Sequence, residues 1–369
     1  MIIIVGAGAH GLSLAYHLKK KGINDVTIIE MKRIGYGSSS RNAARFRYHF
    51  KSKENINFAL KAIPYLLEQA KELPLNSFVY KSGYLWVLKD EKNYKVLSSL
   101  DSLWKGFGIG GKFVNCRDFY FLNIDSDCYL APQDGAFHHD YLLYSYYIET
   151  KGYKFIFDTV EKVVVESGKV KGVKLSTGSI ISGDTVVITA GAWSNEILKR
   201  SNVLEVPIYP EKKEIFITEP IKFMIKPLVI DESDGVYFSQ TLKGEIIGGM
   251  SYERERGFLP FSNSFNEIVR FSKAIKSLVK DIEGIGILRG WSGYYEMTPD
   301  SSHIMGYYNE WPEGLYIDAG YSGHGMMFSP YSGKLMADLI VDGIISEEVK
   351  VFSPERFREN RLINENLVI

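Results

Sequence analysis

A short β-branched run, Ile2-Ile3-Ile4-Val5, ends on Gly6-Ala7-Gly8-Ala9-His10-Gly11, and this G-x-G-x-x-G junction narrows the fold more than any other feature of the 369 residues. Such a run reads as a strand buried on both faces of a parallel sheet. Leu12, Leu14, Ala15 and Leu18 then recur at helical spacing until Lys19-Lys20-Lys21-Gly22, a basic last turn with a glycine stop. A second strand, Val26 to Ile29, closes on Glu30, 19 residues beyond Gly11. A glycine fingerprint alone is weak; strand, turn, helix, second strand and terminal acid in order make it strong. The residue types follow from chemistry. Gly6 permits the tight turn, Gly8 lets backbone approach a pyrophosphate, and Gly11 lets the helix pack on the strand. Amides at the helix start, with Ala9 and His10, hold phosphates, and Glu30, next to Met31, accepts ribose hydroxyls. The motif by itself does not separate a nicotinamide from a flavin dinucleotide.

The loop after Glu30 contains Ser38, Ser39, Ser40 and Arg41, small hydroxylic and cationic residues suited to running beside a ribityl-pyrophosphate chain. Length alone gives about 2.5 domains at roughly 150 residues each. Lys+Arg and Asp+Glu are both 44, a net charge of zero that argues against nucleic acid or an anionic membrane as the main partner. With 45% hydrophobic and 14% aromatic residues the chain is not disordered, and no apolar stretch approaches the ~20 residues of a transmembrane helix. Cys116 and Cys128 are the only cysteines, with no CxxC and no Cys/His cluster. They read as ordinary thiols in a reducing interior, and a disulfide scaffold or zinc module is excluded. With no basic segment ahead of the first apolar run, a cytoplasmic location is expected.

Apolar periodicity predicts helices over Asn55 to Leu73, Tyr141 to Thr150, Phe265 to Val279 and Ser329 to Asp342. Strands are expected at Ser82 to Leu88, Phe155 to Phe157, Val160 to Glu166, Val170 to Ser176, Ser179 to Ile188, Pro207 to Pro220, Gly235 to Met250 and Leu315 to Ala319. Residues 89–130 show no regular period. The fold expected is α/β: a Rossmann-like nucleotide-binding domain built from 1–75, 131–205 and 296–369, with an inserted mixed β-sheet substrate domain from 76–130 and 206–295.

Gly6 to Gly11 with Glu30, Ala190-Gly191-Ala192-Trp193-Ser194, Thr298-Pro299-Asp300 and Gly323-His324-Gly325 resemble, in order and spacing, the flavin-dependent amine oxidoreductases of the D-amino-acid oxidase type. The likeness is greatest to the β subunits of heteromeric sarcosine oxidase and dye-linked L-proline dehydrogenase. It implies FAD, bound by the segments above together with Val160, Met326 and Met327, and oxidation of an amino acid or N-methyl amino acid to an imine. It also implies a small amino-acid substrate and assembly as a hetero-oligomer subunit or a homodimer. In monomeric sarcosine oxidase a cysteine bonds the flavin where Gly293 stands here, so non-covalent FAD is expected. The same enzyme has a lysine at Met327 and an oxygen-activating lysine on a strand for which Glu245 to Met250 offers no candidate. An electron acceptor other than O₂ is therefore expected, with a peroxide-forming oxidase or an idle flavin-carrying subunit as alternatives. Glycine and D-amino-acid oxidases place a carboxylate-binding arginine at Tyr295, whereas Arg47 matches the arginine that holds the carboxylate in sarcosine oxidases. Arg47, His324, Tyr252 and Tyr295 are the catalytic candidates, with Tyr237 and Tyr294 as further cavity walls and Arg254 and Arg289 as alternative anchors.

Overall fold

The computed structural model describes residues 1–251 and 256–365. Ile2–Val5 and Val26–Glu30 pair in parallel, register Ile2 to Val26, and Thr185–Ile188 pairs in parallel on the other side of the first strand. The full sheet runs Ile304–Gly306, Leu315–Ala319, Thr185–Ile188, Ile2–Val5, Val26–Glu30, Lys154–Phe157, with only Ile304–Gly306 antiparallel. Its central strands are buried on both faces, as their unbroken β-branched composition requires. Ala9–Lys20 and the closing helix Gly325–Asp342 pack on one face. Gly333 makes that packing close, since a Cβ there would lie 2.3 Å from Ser13 Oγ.

A second, mixed sheet of eight strands runs Ile287–Met297, Tyr209–Pro220, Glu245–Met250, Val236–Gln240, Leu228–Asp231, Tyr84–Leu88, Asp127–Ala131, Lys112–Asn115. The helix Phe265–Leu278 covers it, burying Phe271, Ile275 and Leu278 against Phe216, Phe238 and Val236. A three-stranded antiparallel layer, Val160–Glu166, Lys169–Leu175 and Ile180–Ser182, leads into Thr185–Ile188.

Several expectations are corrected. Residues 89–130 contain a helix, Glu91–Gly106, capped by Asp90, and two strands, Lys112–Asn115 and Asp127–Ala131. The helix buries only Leu97, Asp101 and Trp104, too few apolar positions for a visible period. Ser179 to Ile188 is two strands, because the chain changes sheets at Gly183 and Asp184. The last helix starts at Gly325, four residues before its expected start, and continues through Pro330. Proline there supplies no N–H to Met326 O, and the Ser329 hydroxyl donates to that carbonyl instead at 3.0 Å. Cys116 and Cys128 are not free thiols but a disulfide, Cα–Cα 5.2 Å, tying the 116–118 turn that follows the edge strand Lys112–Asn115 to the adjacent strand Asp127–Ala131. The pairing was invisible because the intervening hairpin was not recognised.

Candidate cofactor and substrate site

A cleft of about 370 Å³ opens where the first strand meets its helix, lined by Gly6, Gly8, Ala9, His10, Glu30, Met31, Ser38, Ser39, Val160, Ala190, Gly191 and Trp193 among others. The helix Ala9–Lys20 has no side-chain cap and no acid in its first turn, so its leading amides and dipole face the cleft. Ala9 N donates to Ser39 Oγ at 3.0 Å, which brings the hydroxylic loop against the phosphate-binding turn. Gly11 does not line the cleft; a Cβ there would lie 2.0 Å from Gly6 O, so its role is helix-on-strand packing. Glu30 is buried, accepts from Ala7 N at 2.9 Å and Lys32 N at 3.0 Å, and thereby ties the glycine turn to the end of the second strand. Burial pushes its carboxyl above the usual range, opposed by those backbone donors.

Three buried polar atoms around this cleft, His10 Nε2, Glu296 Oε2 and Asp318 Oδ2, have no hydrogen-bond partner within the protein. Desolvated polar groups are costly when unsatisfied, so their concentration in one cleft, beside an uncapped helix start, fits an elongated ligand with both hydroxyl and phosphate groups. FAD has that composition.

Beyond the cleft lies a cavity of about 70 Å³ walled by Ser38, Ser39, Arg41, Lys213, Gly293, Tyr294, Tyr295, Glu296, Gly323, Gly325 and Met326. Gly323 takes φ +96°, and a Cβ there would meet the Tyr295 ring at 2.4 Å, so only glycine lets the loop before the closing helix lie on this wall. Ser40 sits apart from this cavity, in a broad outer opening of about 880 Å³ that Arg41 and Arg289 also line. Arg41 stacks over Phe261 at 4.1 Å and donates to Tyr36 O and Ser292 O.

A third, small cavity of about 80 Å³ adjoins the second across Tyr295, Gly323 and Met326, and holds Arg47, Tyr84, Tyr237, His324 and Met327. Arg47 is 4% exposed; its guanidinium lies over the Phe50 ring at 4.5 Å and its backbone N–H points at Met327 Sδ at 3.3 Å. Burial, with Arg47 nearby, holds His324 well below the usual histidine range, so its imidazole is neutral. Its ring is set by the edges of Phe50 and Phe328, both 5.3 Å away, and Nε2 has no hydrogen-bond partner. Burial pushes the Tyr295 hydroxyl up to about 12, so it remains protonated. Tyr252 and Arg254 lie outside the described residues.

Four contacts fix the segment that carries Arg47. Asp134 accepts from Tyr48 N at 2.8 Å and sits 2.8 Å from His49 Nδ1, Trp104 Nε1 donates to Phe50 O at 2.7 Å, and Glu365 accepts from Ser52 N at 2.9 Å. Of three further residues, Lys213 and Glu296 escaped the sequence reading, and Arg45 entered it only beside Arg47 as an arginine suited to carboxylate recognition. Lys213, Nζ 2.5 Å from Glu211 Oε1, is a buried cation in the cavity beyond the cleft, and Arg45, its guanidinium bonded to Ser239 Oγ, borders both the Arg47 cavity and the outer opening. Glu296 is the third. No spacing rule flags a buried charge on a long strand; Lys213 and Glu296 come from Tyr209–Pro220 and Ile287–Met297, and the second of these strands was not anticipated.

A glycine-rich dinucleotide cleft flanked by two small cavities, one of them holding the buried Arg47, suits a flavin-dependent oxidoreductase. Residues 1–339 match the family model DAO, FAD dependent oxidoreductase, and the chain belongs to that family, with FAD as its cofactor. It is similar to sarcosine oxidase subunit beta of Rhodobacter capsulatus, 29% identical over 388 residues that cover 99% of this chain and 90% of the relative. The solved L-proline dehydrogenase from P. horikoshii superimposes with a TM-score of 0.90 at 30% identity, covering 98% of each chain. Glycine oxidase from Geobacillus kaustophilus shares the fold, with TM-score 0.87 at 22% identity over 96% of this chain and 98% of that one. The protein is thus an FAD-dependent amino-acid oxidoreductase of the sarcosine oxidase and proline dehydrogenase type. No helix among the described residues is long and apolar enough to cross a membrane.

Proposed function

We propose that the chain oxidises a small amino acid or N-methyl amino acid, of the proline or sarcosine kind, at a C–N bond, and passes the electrons to an acceptor other than O₂. The observation that carries this reading is the buried Arg47 guanidinium in a small aromatic cavity directly beside the one that this reading assigns to the flavin ring, the ring cavity. In this reading the nucleotide-binding part is 1–75, 131–205 and 296–369, and the substrate part is 76–130 and 206–295.

FAD, when bound, supplies the two-electron acceptor for the hydride that leaves the substrate carbon. Everything else is asked of the protein. Arg47 offers a planar fork to the substrate carboxylate, which fixes orientation as well as affinity. Tyr84, Tyr237 and Tyr295 wall the pocket and keep water from it, which strengthens that charge pair. His324 is neutral, so Arg47 is the cation the amine meets, and a second positive charge beside it is disfavoured. The substrate amine accordingly binds unprotonated, the form that can become an imine. The start of the closing helix at Gly325 lines the ring cavity, and its amides and dipole would favour negative charge on a group held there.

Mixing the FAD-loaded protein with candidate amino acids without oxygen tests the reading: proline or sarcosine should bleach the flavin, and no bleaching by any small amino acid would overturn it. One observation favours a second reading, an oxidase. Lys213 puts a cation into the ring cavity, the charge that electron transfer to O₂ benefits from, although the strand Glu245–Met250 has no lysine. Rapid re-oxidation in air that Lys213→Met abolishes would select it. Like its sarcosine oxidase relatives, whose name marks them as subunits, the chain is proposed to assemble with a partner in the cytoplasm.

A further inference from the structure

We propose that Glu296 is the anchor for the polyol of FAD, the hydroxylated chain between its diphosphate and its ring. The position is the first reason. Glu296 lines both the nucleotide cleft and the adjoining cavity that the proposed function assigns to the ring, so it stands at their junction, where a ligand threaded through both places its middle. The second reason is that its side chain is only half satisfied. Backbone amides of Gly320 and Tyr321 bond the carboxyl, yet Oε2 is buried with no partner in a residue that is 9% exposed. Space has been kept in front of that atom: a Cβ on Gly191, at φ +53°, would lie 3.2 Å from Oε2.

The chemistry decides which part of the cofactor faces it. A carboxyl oxygen next to the diphosphate would face like charge, and the uncapped helix start and glycine turn already provide for those phosphates. Hydroxyl groups are the complementary partner, since each can donate to a carboxylate in a charge-assisted bond. His10, whose Nδ1 is 3.4 Å from Asp318 Oδ2, lines both the cleft and the cavity beside it. Glu296 thus mirrors Glu30: one carboxylate reads the adenosine ribose and the other the polyol.

Binding titrations of the apoprotein with FAD and with ADP, which has no polyol, separate the two. Glu296→Ala should raise the FAD dissociation constant tenfold or more and leave that for ADP unchanged, while Glu30→Ala should weaken both. Glu296→Gln preserves shape and one carbonyl for the Gly320 and Tyr321 amides, guards against a folding defect, and should weaken FAD several-fold with ADP again unchanged. Unchanged FAD binding in Glu296→Gln, or equal losses for FAD and ADP in Glu296→Ala, would overturn the assignment. If Glu30→Ala leaves ADP binding intact, the cleft itself has been misplaced, an outcome distinct from failure of Glu296.

Discussion

The Arg47 guanidinium has 4% of its surface exposed, and its electrostatic reach covers Tyr84, Tyr295 and His324. If this charge clamps a carboxylate, Arg47→Ala retains FAD but loses several kcal/mol of transition-state stabilisation, and Arg47→Lys, which keeps charge without the planar fork, falls between. The measurement is the anaerobic rate of flavin reduction per unit of substrate. Loss of FAD from Arg47→Ala would instead put the side chain on the cofactor. Glu30 accepts from the amides of Ala7 and Lys32, and in the proposed reading from the ribose as well. Glu30→Ala should therefore weaken FAD by on the order of 1.5–3 kcal/mol, with equilibrium titration as the check. Arg47 entered the sequence reading through its match to the carboxylate-binding arginine of sarcosine oxidases, and the structure shows that it is buried; Glu296 and Lys213 did not enter it, because burial is a property of three-dimensional packing.

At the scale of elements, Thr298-Pro299-Asp300 is a clasp. Asp300 takes Arg356 Nε at 2.8 Å and Nη2 at 3.1 Å, and also accepts from Ile363 N at 3.1 Å, so it secures the C-terminal segment whose Glu365 holds Ser52, the N-cap of the helix Lys53–Glu72 beside the Arg47 segment. Removing one partner of this buried pair strands the other. Asp300→Asn should lower unfolding free energy by about 3–5 kcal/mol, while replacing both residues by apolar ones costs less than the sum of the single changes. Denaturant unfolding measures both. The helix Ala9–Lys20 adds a pH dependence. Burial lowers His17 to about 4 while its ring bonds Ser13 O and Tyr65 OH, both at 2.7 Å. The unfolded chain binds a proton near 6.5 and the folded one only near 4, so stability falls as pH drops through that window, by on the order of 3 kcal/mol. His17→Gln should flatten that part of the Tm profile. Helices with regular apolar spacing were legible at this scale. The helix Glu91–Gly106 was not, since most of its surface meets solvent, and the strand Ile287–Met297 was not, since glycines and half-exposed residues break its alternation.

For the whole molecule, the strand–turn–helix signal at the N-terminus was enough to predict the parallel sheet, because only one arrangement satisfies buried β-branched runs, a glycine turn and a terminal acid together. The order of strands in the mixed sheet could not be read, for it depends on non-local pairings such as Leu228–Asp231 with Tyr84–Leu88. The expectation about the two cysteines failed for the same reason. They are paired, and neither lines the cleft or the two cavities beside it, so acid precipitation should release FAD intact into the supernatant. Flavin that stays with the precipitate would contradict this. The claim that joins fold, cofactor and pocket is that the chain uses Arg47 to present an amino acid to FAD. Its most direct measurement is anaerobic flavin bleaching by an amino acid and by its decarboxylated analogue, in wild type and in Arg47→Ala. Wild type should strongly prefer the carboxylate, and the alanine variant should treat the two compounds nearly alike. The same carboxylate preference in both proteins would contradict it.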